Sequence, residues 1–323
     1  MTERCAPWWA DLPPATGAAV MATGTLSVGL HLTGYAVLSL VAFALAAALW
    51  VVLAYGFAAL FLGDRGRWRG KAGTPPALTA VAATTVLGVR CALLGAVPPA
   101  VALLLLAAVL WPGLLASVVR RLPRRVPGAM FLICVATQGL AVLAAVLAPA
   151  VGDWLARAAL AAFALGLVLY VVVLARFELR QVVTGAGDHW IAGGAMAISA
   201  LAGSRLLASG VWSGGTAAAL RITDLVLLAL ALAWYAVLLG GEIVRPRPVY
   251  DVRRWATVFP LAMTAVAALS TATVAAVPWL GALGHVLLWI AVAAWFPAAY
   301  GLCRTLPRPR PRAGRRPEPP QMP

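Results

Sequence analysis

Ten long apolar runs restrict the fold of this chain more than any other feature of its sequence. A helix of about 20 apolar residues crosses the hydrocarbon core of a bilayer, where backbone groups must be paired within the protein. Only 11% of the residues are charged, whereas soluble domains contain about 25%. We therefore predict an all-α integral membrane domain over residues 14–303. The predicted spans are 14–33, 36–62, 77–96, 98–119, 128–148, 153–177, 188–209, 219–240, 255–277 and 280–303.

The basic residues lie in short blocks between these runs. A net charge of +15 can indicate a nucleic-acid partner, but blocks after the second, fourth, sixth and eighth spans are typical of membrane orientation. The positive-inside rule predicts a multi-pass plasma-membrane protein with both termini cytoplasmic and no nucleic-acid partner. Residues 1–13 then form a cytoplasmic N-terminal segment, and 304–323 form a cytoplasmic Arg- and Pro-rich tail that we expect to be disordered.

The ten spans form five hairpins whose two members differ in composition. The odd-numbered spans contain most of the membrane hydroxyl groups, whereas the even-numbered spans contain only Ser39, Ser117 and Thr223. Small and hydroxyl residues are typical of close helix contacts and of solute pathways, and bulky aliphatic residues can face lipid. We therefore predict an inner ring of five odd-numbered helices within an outer ring of five even-numbered ones. Any single hydroxyl can instead bond a carbonyl of its own helix.

The sequence contains no pattern typical of an enzyme. His31, His189 and His285 are far apart, the four cysteines form no CxxC motif, and no nucleophile lies beside a base. We expect no catalytic residue, cofactor or metal. Asp188 and His189 are consistent with a helix cap, which we favour, or with a proton-responsive pair.

Arg90 and Arg205 fall towards the outer ends of the third and seventh spans. A charge at membrane depth costs about 2.5–3.5 kcal/mol on insertion scales, so it faces water or a partner. One hypothesis is that both arginines line a basic outer vestibule. The alternative is a structural pair between Arg90 and Asp224.

A proline interrupts the ninth span directly after an aromatic residue. Pro260 removes one helical hydrogen bond, and Phe259 precedes it. This arrangement is consistent with a plug at a kink or with a packing helix that carries a core phenylalanine. On a helix, Phe259 shares its face with Met263, Val266, Ser270 and Thr273.

Three segments resemble a known membrane family. They are Trp255-x-x-x-Phe259-Pro260-x-x-Met263, the VMATGTL stretch over 20–26 and the GDHWIAGG stretch over 187–194. All three are similar to the tellurite-resistance and dicarboxylate transporter family, which includes bacterial members and the plant slow-type anion channels. Two positions depart from the family pattern, since Ala22 stands where Gly is usual and Gly17 where an aromatic residue is common.

This resemblance implies a channel or transporter for small anions, built as a homotrimer with one pore in each protomer. It also implies that Phe259, backed by the Pro260 kink, is the gate. With the hydroxyl-rich odd spans and the Phe259 face, the predicted pore-lining residues are Thr23, Ser27, Thr84, Thr137, Ser199, Met263, Val266, Ser270 and Thr273.

Two other functions stay open from the sequence. One is a coupled carrier for four-carbon dicarboxylates, sulfite or tellurite, which usually has an ionisable residue near the midplane. Because the odd spans contain no buried acid, we favour a channel. The other is a membrane sensor or scaffold, which leaves the hydroxyl-rich inner ring unexplained.

Overall fold

The computed structural model describes residues 14–121, 123–247 and 249–305. Most of these residues are helical, with no β-strand among them and one isolated bridge between Val126 and Phe177. The segment 1–13 and the tail beyond residue 305 lie outside the described residues, so their predicted states stay predictions. The all-α fold class is confirmed.

Ten helices within the described ranges are long and apolar enough to cross a membrane, as predicted. Most boundaries agree within a few residues, and the largest difference is in the eighth span, which extends beyond the predicted 219–240 at both ends. We number the spans 1 to 10 in chain order. They are Pro14–Leu32, Ala36–Gly63, Pro75–Leu93, Val97–Val119, Gly128–Val151, Asp153–Leu174, Asp188–Ala208, Gly214–Val244, Val252–Val274 and Pro278–Thr305.

Burial separates the odd-numbered spans from the even-numbered ones. In the most apolar part of each helix, 72–94% of the residues of odd spans are buried, against 11–33% in even spans. The odd spans also pack in a closed cycle, in which span 1 contacts spans 3 and 9, and spans 5 and 7 lie between them. Each even span packs on the odd spans before and after it. The large hydrophobic side chains that the even spans expose are mostly Leu, Val and aromatic residues, which suits contact with lipid.

Tryptophans on three even spans are hydrogen-bonded to threonines on the next odd span. Trp50 Nε1 donates to Thr84 Oγ1 at 2.9 Å, and Trp111 Nε1 donates to Thr137 Oγ1 at 3.0 Å. Trp295 in span 10 donates to Thr23 in span 1 at 2.9 Å, which connects the last span of the domain to the first. These bonds satisfy indole groups that lipid cannot pair, and they fix the angle at which each inner helix faces the outer layer.

The acid that opens span 7 caps a different helix from the one expected. Asp188 makes no capping bond within its own first turn, and its Oδ2 accepts from the backbone N–H of Ala129 in span 5 at 3.2 Å. The starts of spans 5 and 7 approach closely because residue 128 is a glycine. A Cβ there would lie only 2.4 Å from the Cα of His189. The predicted cap is therefore replaced by a link between two odd spans.

Candidate functional site: the axial cavity

A small cavity lies on the axis of the five odd-numbered spans. The volume that a water centre can occupy is about 20 Å³, which suits one or two water molecules. Each odd span contributes two residues that are three positions apart, and span 3 adds Thr85. The pairs are Thr25 and Val28, Val86 and Val89, Gly139 and Val142, Ile198 and Leu201, and Met263 and Val266.

These pairs form two layers along the axis. All odd spans run in the same direction, because each is followed by an even span that returns across the membrane. The second member of each pair therefore lies about 4.5 Å farther along the axis than the first, at 1.5 Å per residue. We call this second layer the aliphatic ring, and its members are Val28, Val89, Val142, Leu201 and Val266.

The layer nearer the starts of the odd spans is more mixed. It contains Thr25, Met263 and Gly139, which leaves space because it has no side chain. The hydroxyl of Thr25 is buried with no hydrogen-bond partner among the described residues, whereas Thr85 donates to the carbonyl of Ala82 in its own helix at 2.9 Å. One free hydroxyl therefore belongs to an otherwise apolar wall.

Phe259 lies outside the cavity lining, one turn before Met263. Four residues of helix correspond to a rise of about 6 Å, which places the ring on the predicted cytoplasmic side of the cavity. The ring is 1% exposed. It packs against Gly194 of span 7, where a Cβ would lie 3.1 Å from Cε1 of Phe259 and 2.8 Å from Cγ of Pro260. A glycine at 194 is thus what admits the ring and the proline together.

The loop that leads into span 9 is fixed by charged contacts. Asp251 accepts from the backbone N–H of Arg253 at 2.9 Å and caps the first turn, and the Arg253 side chain holds the pKa of the Asp251 carboxyl below its usual range. Glu242 at the end of span 8 pairs with both Arg247 and Arg254. These contacts fix the start of the helix that carries Phe259.

Three predicted lining residues face away from the axis, which corrects that part of the sequence analysis. Thr23, Thr84 and Thr137 accept hydrogen bonds from outer-layer tryptophans, so their hydroxyls point towards the even spans. The hydroxyls that reach the cavity wall belong to their neighbours Thr25 and Thr85. The sequence signal for this orientation is a tryptophan near the middle of an even span, because its indole N–H needs a hydrogen-bond acceptor on an inner helix.

Four further candidates make contacts away from the cavity lining. Ser27 bonds Ser39, Ser199 donates to the carbonyl of Ala195, and Thr273 donates to that of Leu269. Ser270 lies 2.8 Å from Ser204, between spans 7 and 9. Of the predicted lining residues, Met263 and Val266 lie on the cavity.

Arg90 does not line an open vestibule, and this hypothesis is corrected. Its side chain is 1% exposed, and Nε donates to the hydroxyls of Ser27 and Ser39 at 3.1 Å each. The guanidinium carbon lies 6.0 Å from the ring centre of Phe43. The residue is therefore enclosed by spans 1, 2 and 3, where Nε is paired and the buried Nη1 has no hydrogen-bond partner among the described residues.

The alternative pair between Arg90 and Asp224 is not formed either. Asp224 is fully buried in span 8, where Oδ1 accepts from Thr271 at 3.2 Å and the side chain lies against Gly203. Among the residues described, no cation lies within ion-pair distance of Asp224. Sequence depth alone suggested this pair, but the two residues belong to different sides of the helix cycle.

Arg205 lies one turn beyond Leu201 of the aliphatic ring. It is half-buried, its Nε has no hydrogen-bond partner, and within the described ranges it forms no ion pair. A positively charged side chain with one unpaired, buried donor therefore follows the aliphatic ring by one turn, on its predicted outer side. The same ranges contain no group of three or more His, Cys, Asp or Glu side chains that would hold a metal ion.

Ten helices that are long and apolar enough to cross a membrane define a multi-pass membrane protein. The family model described as voltage-dependent anion channel, SLAC1, matches residues 11–303. The chain belongs to this family of membrane anion channels and transporters, which confirms the resemblance found in its sequence. A search of curated proteins gave no match.

Proposed function

We propose that the axis of the odd spans is a conduction pathway for small anions, and that Phe259 is its gate. The observation that supports this most is the position of the Phe259 ring. It lies one turn before Met263, on the predicted cytoplasmic side of a cavity to which all five odd spans contribute, and it packs against Gly194 beside Pro260. The structure then corresponds to a closed state.

Closure follows from the size and the apolar character of the wall. A space of about 20 Å³ lined mainly by aliphatic groups holds too little water to hydrate an ion. Hydrophobic constrictions stop ions because water leaves them, so neither the aliphatic ring nor Phe259 needs a charged latch. Opening requires the Phe259 ring to move away from the cytoplasmic side of the cavity and the aliphatic ring to widen.

Charge selection is assigned to the outer end of the pathway. Arg205 stands on the outer side of the aliphatic ring, and the described part of the cavity wall carries no acidic side chain. A single positive charge in a narrow mouth raises the local anion concentration and repels cations. Of the nine pore-lining residues predicted from the sequence, we retain Met263 and Val266, and we add Thr25 as a hydrogen-bond donor.

We favour a channel over a coupled carrier. A coupled carrier normally uses an ionisable group close to its substrate, and the cavity wall that we describe has none. Specific cargoes such as dicarboxylates, sulfite or tellurite are not indicated by any side chain on the axis. By family resemblance we also propose a homotrimer, which light scattering of the purified protein in detergent would test.

The experiment is anion flux into liposomes containing the purified protein, measured with chloride, nitrate, sulfite and malate. Phe259→Ala should raise flux sharply, and Phe259→Leu should raise it less because an apolar side chain remains in the path. Phe131→Ala is the matched control, since Phe131 is equally buried but packs on Tyr170 and Phe177 at the start of span 5. A folded Phe259→Ala protein that conducts no better than the parent would remove the gate assignment.

A further inference from the structure

A second and much larger cavity lies on the lateral surface, between spans 2 and 4. It has a volume of about 560 Å³, within the range of about 300–1,000 Å³ that is typical of sites for small organic ligands. We call it the lateral cleft. Its walls come from the second halves of spans 2 and 4, and its floor comes from the first halves of spans 1 and 3. It therefore lies in the predicted cytoplasmic half of the membrane.

The interior of the lateral cleft offers an apolar surface. The two threonines on its floor are already paired, since Thr79 donates to the carbonyl of Pro76 at 2.7 Å and Thr84 accepts from Trp50. The remaining interior contacts are aliphatic and aromatic side chains such as Leu53, Phe57 and Leu110. An occupant of this part must be a hydrocarbon.

The cytoplasmic end of the cleft has the opposite character. A short helix, Arg65–Ala72, closes it and contributes Trp68 and Lys71 to the lining. This helix carries Arg65, Arg67, Arg69 and Lys71, and the guanidinium of Arg121 reaches Gly73 beside its end. A hydrocarbon slot therefore ends at a cluster of positive charge.

Trp68 anchors the basic helix over the cleft. Its ring centre lies 5.5 Å from that of Phe57 and 5.1 Å from that of Phe61 in span 2. Its indole Nε1 is buried without a hydrogen-bond partner among the described residues. An N–H donor of this kind, at the depth where the cleft changes from apolar to basic, suits an ester or phosphate oxygen.

We propose that the lateral cleft binds an anionic phospholipid, with an acyl chain in the slot and the phosphate beside the basic helix. The cleft opens to the bilayer, which supplies this molecule in the required orientation, and Lys and Arg side chains near an anionic surface attract it. A second copy of the chain would present the apolar outer face of its even spans, which does not match the charged end. The inference does not depend on conduction through the axis.

Gly113 allows the cleft to be filled without disturbing the fold. It lines the cleft, and a Cβ there would meet no atom within 4 Å, so Gly113→Phe places a ring in the empty slot. Gly240 in span 8 is the matched control, because a Cβ there is also free of contacts and the residue is outside the cleft. Val109→Trp is a second filling variant at the rim, where the residue is 75% exposed.

The measurement is the thermal unfolding midpoint of the full chain in detergent, titrated with phosphatidylglycerol or phosphatidylcholine. A ligand that binds only the folded state raises this midpoint with concentration. We expect a clear rise with phosphatidylglycerol and little with phosphatidylcholine, for the parent and for Gly240→Phe. Gly113→Phe and Val109→Trp should lose most of the rise, and Arg65→Gln with Arg69→Gln should reduce it.

Two results would overturn the proposal. Equal shifts of the unfolding midpoint with the two lipids would show that the basic helix does not discriminate between their headgroups. A full phosphatidylglycerol shift in a folded filling variant would place the lipid elsewhere on the surface. Either Gly113→Phe or Val109→Trp alone can give this second result, so the test stands even if one of them does not fold.

Discussion

The ring of Phe259 rests directly on the backbone of Gly194, and any side chain at residue 194 would collide with it. A Cβ there would lie 3.1 Å from Cε1 and 3.3 Å from Cδ1 of the ring, and 2.8 Å from Cγ of Pro260. Spans 7 and 9 therefore meet at one position through a glycine, a proline and an aromatic ring. This contact fixes where the proposed gate stands.

Gly194→Ala should destabilise the protein, and Phe259→Ala should relieve part of that loss. Overfilling a packed site costs about 1–3 kcal/mol, and removal of the ring takes away two of the three close contacts. The coupling is measured as a double-mutant cycle of thermal unfolding in detergent. Gly193→Ala serves as the control because its neighbours are Leu238 and Trp234. Strictly additive effects of Gly194→Ala and Phe259→Ala would contradict the observed packing.

Arg205→Gln should lower anion flux at low ionic strength and have less effect at high ionic strength. The Debye length is about 30 Å at 0.01 M and about 8 Å at 0.15 M, so salt removes the long-range attraction of the charge. The assay is liposome flux through Phe259→Ala protein, in which the signal is large. Arg157→Gln is the control, because Arg157 is exposed on an outer span. An effect of Arg205→Gln that does not depend on salt would argue for a structural role.

Ser39→Ala should lower the free energy of unfolding by about 1–3 kcal/mol, the usual cost of leaving a buried polar group without its partner. The change removes one of the two acceptors of Arg90 Nε, and also the donor to the carbonyl of Ser27 at 2.7 Å. Chemical unfolding in mixed micelles would measure it. Ser117→Ala is the comparison, since that hydroxyl is exposed and bonds only Gly113 of its own helix. If the two substitutions cost the same, Arg90 does not depend on the serine pair.

Trp295→Phe should cost about 0.5–1.5 kcal/mol of stability while leaving the flux per folded molecule unchanged. The substitution removes the N–H that bonds Thr23, and that bond lies on the outer side of span 1. Thermal unfolding and liposome flux would be measured on the same preparation. Trp279→Phe gives the background value, because Trp279 is 63% exposed. A rise in flux with Trp295→Phe would instead support Thr23 as a pore-lining residue.

A cysteine at Gly66 should be labelled only after the membrane is opened, and one at Gly215 should be labelled in intact cells. The first residue lies in the basic helix after span 2, and the second at the start of span 8. The test uses a background without native cysteines and a membrane-impermeant maleimide. Labelling of residue 66 from outside would reverse the orientation given by the arginine blocks.

The sequence was sufficient to predict the spans and the two layers because both depend on composition summed over many residues. Long apolar runs place the helices, and the concentration of hydroxyls in odd spans separates inner from outer ones. The angle of each inner helix was not predictable in this way. Thr84 and Thr85 are adjacent in the sequence and chemically alike, yet one accepts from Trp50 and the other lines the cavity.

The buried charges show a second limit. Arg90 and Asp224 were matched by depth along their helices, but depth does not say which neighbours a helix has. The order of contacts places Arg90 against spans 1 and 2 and Asp224 against spans 7 and 9. The proposed gate residue has a local signal in the sequence, because a proline directly after an aromatic ring is unusual within a membrane helix.

The bond from Trp295 to Thr23 has a consequence for how the chain is threaded. Since span 10 packs on span 1 as the other even spans pack on the odd spans that follow them, the cycle of helices has no structural first member. The same arrangement of helices could therefore be formed by a chain whose termini lie at any of the five connections that follow an even span. We expect a circularly permuted chain, joined from residue 305 to residue 14 and opened in the loop between spans 4 and 5, to keep all the helix contacts of the parent.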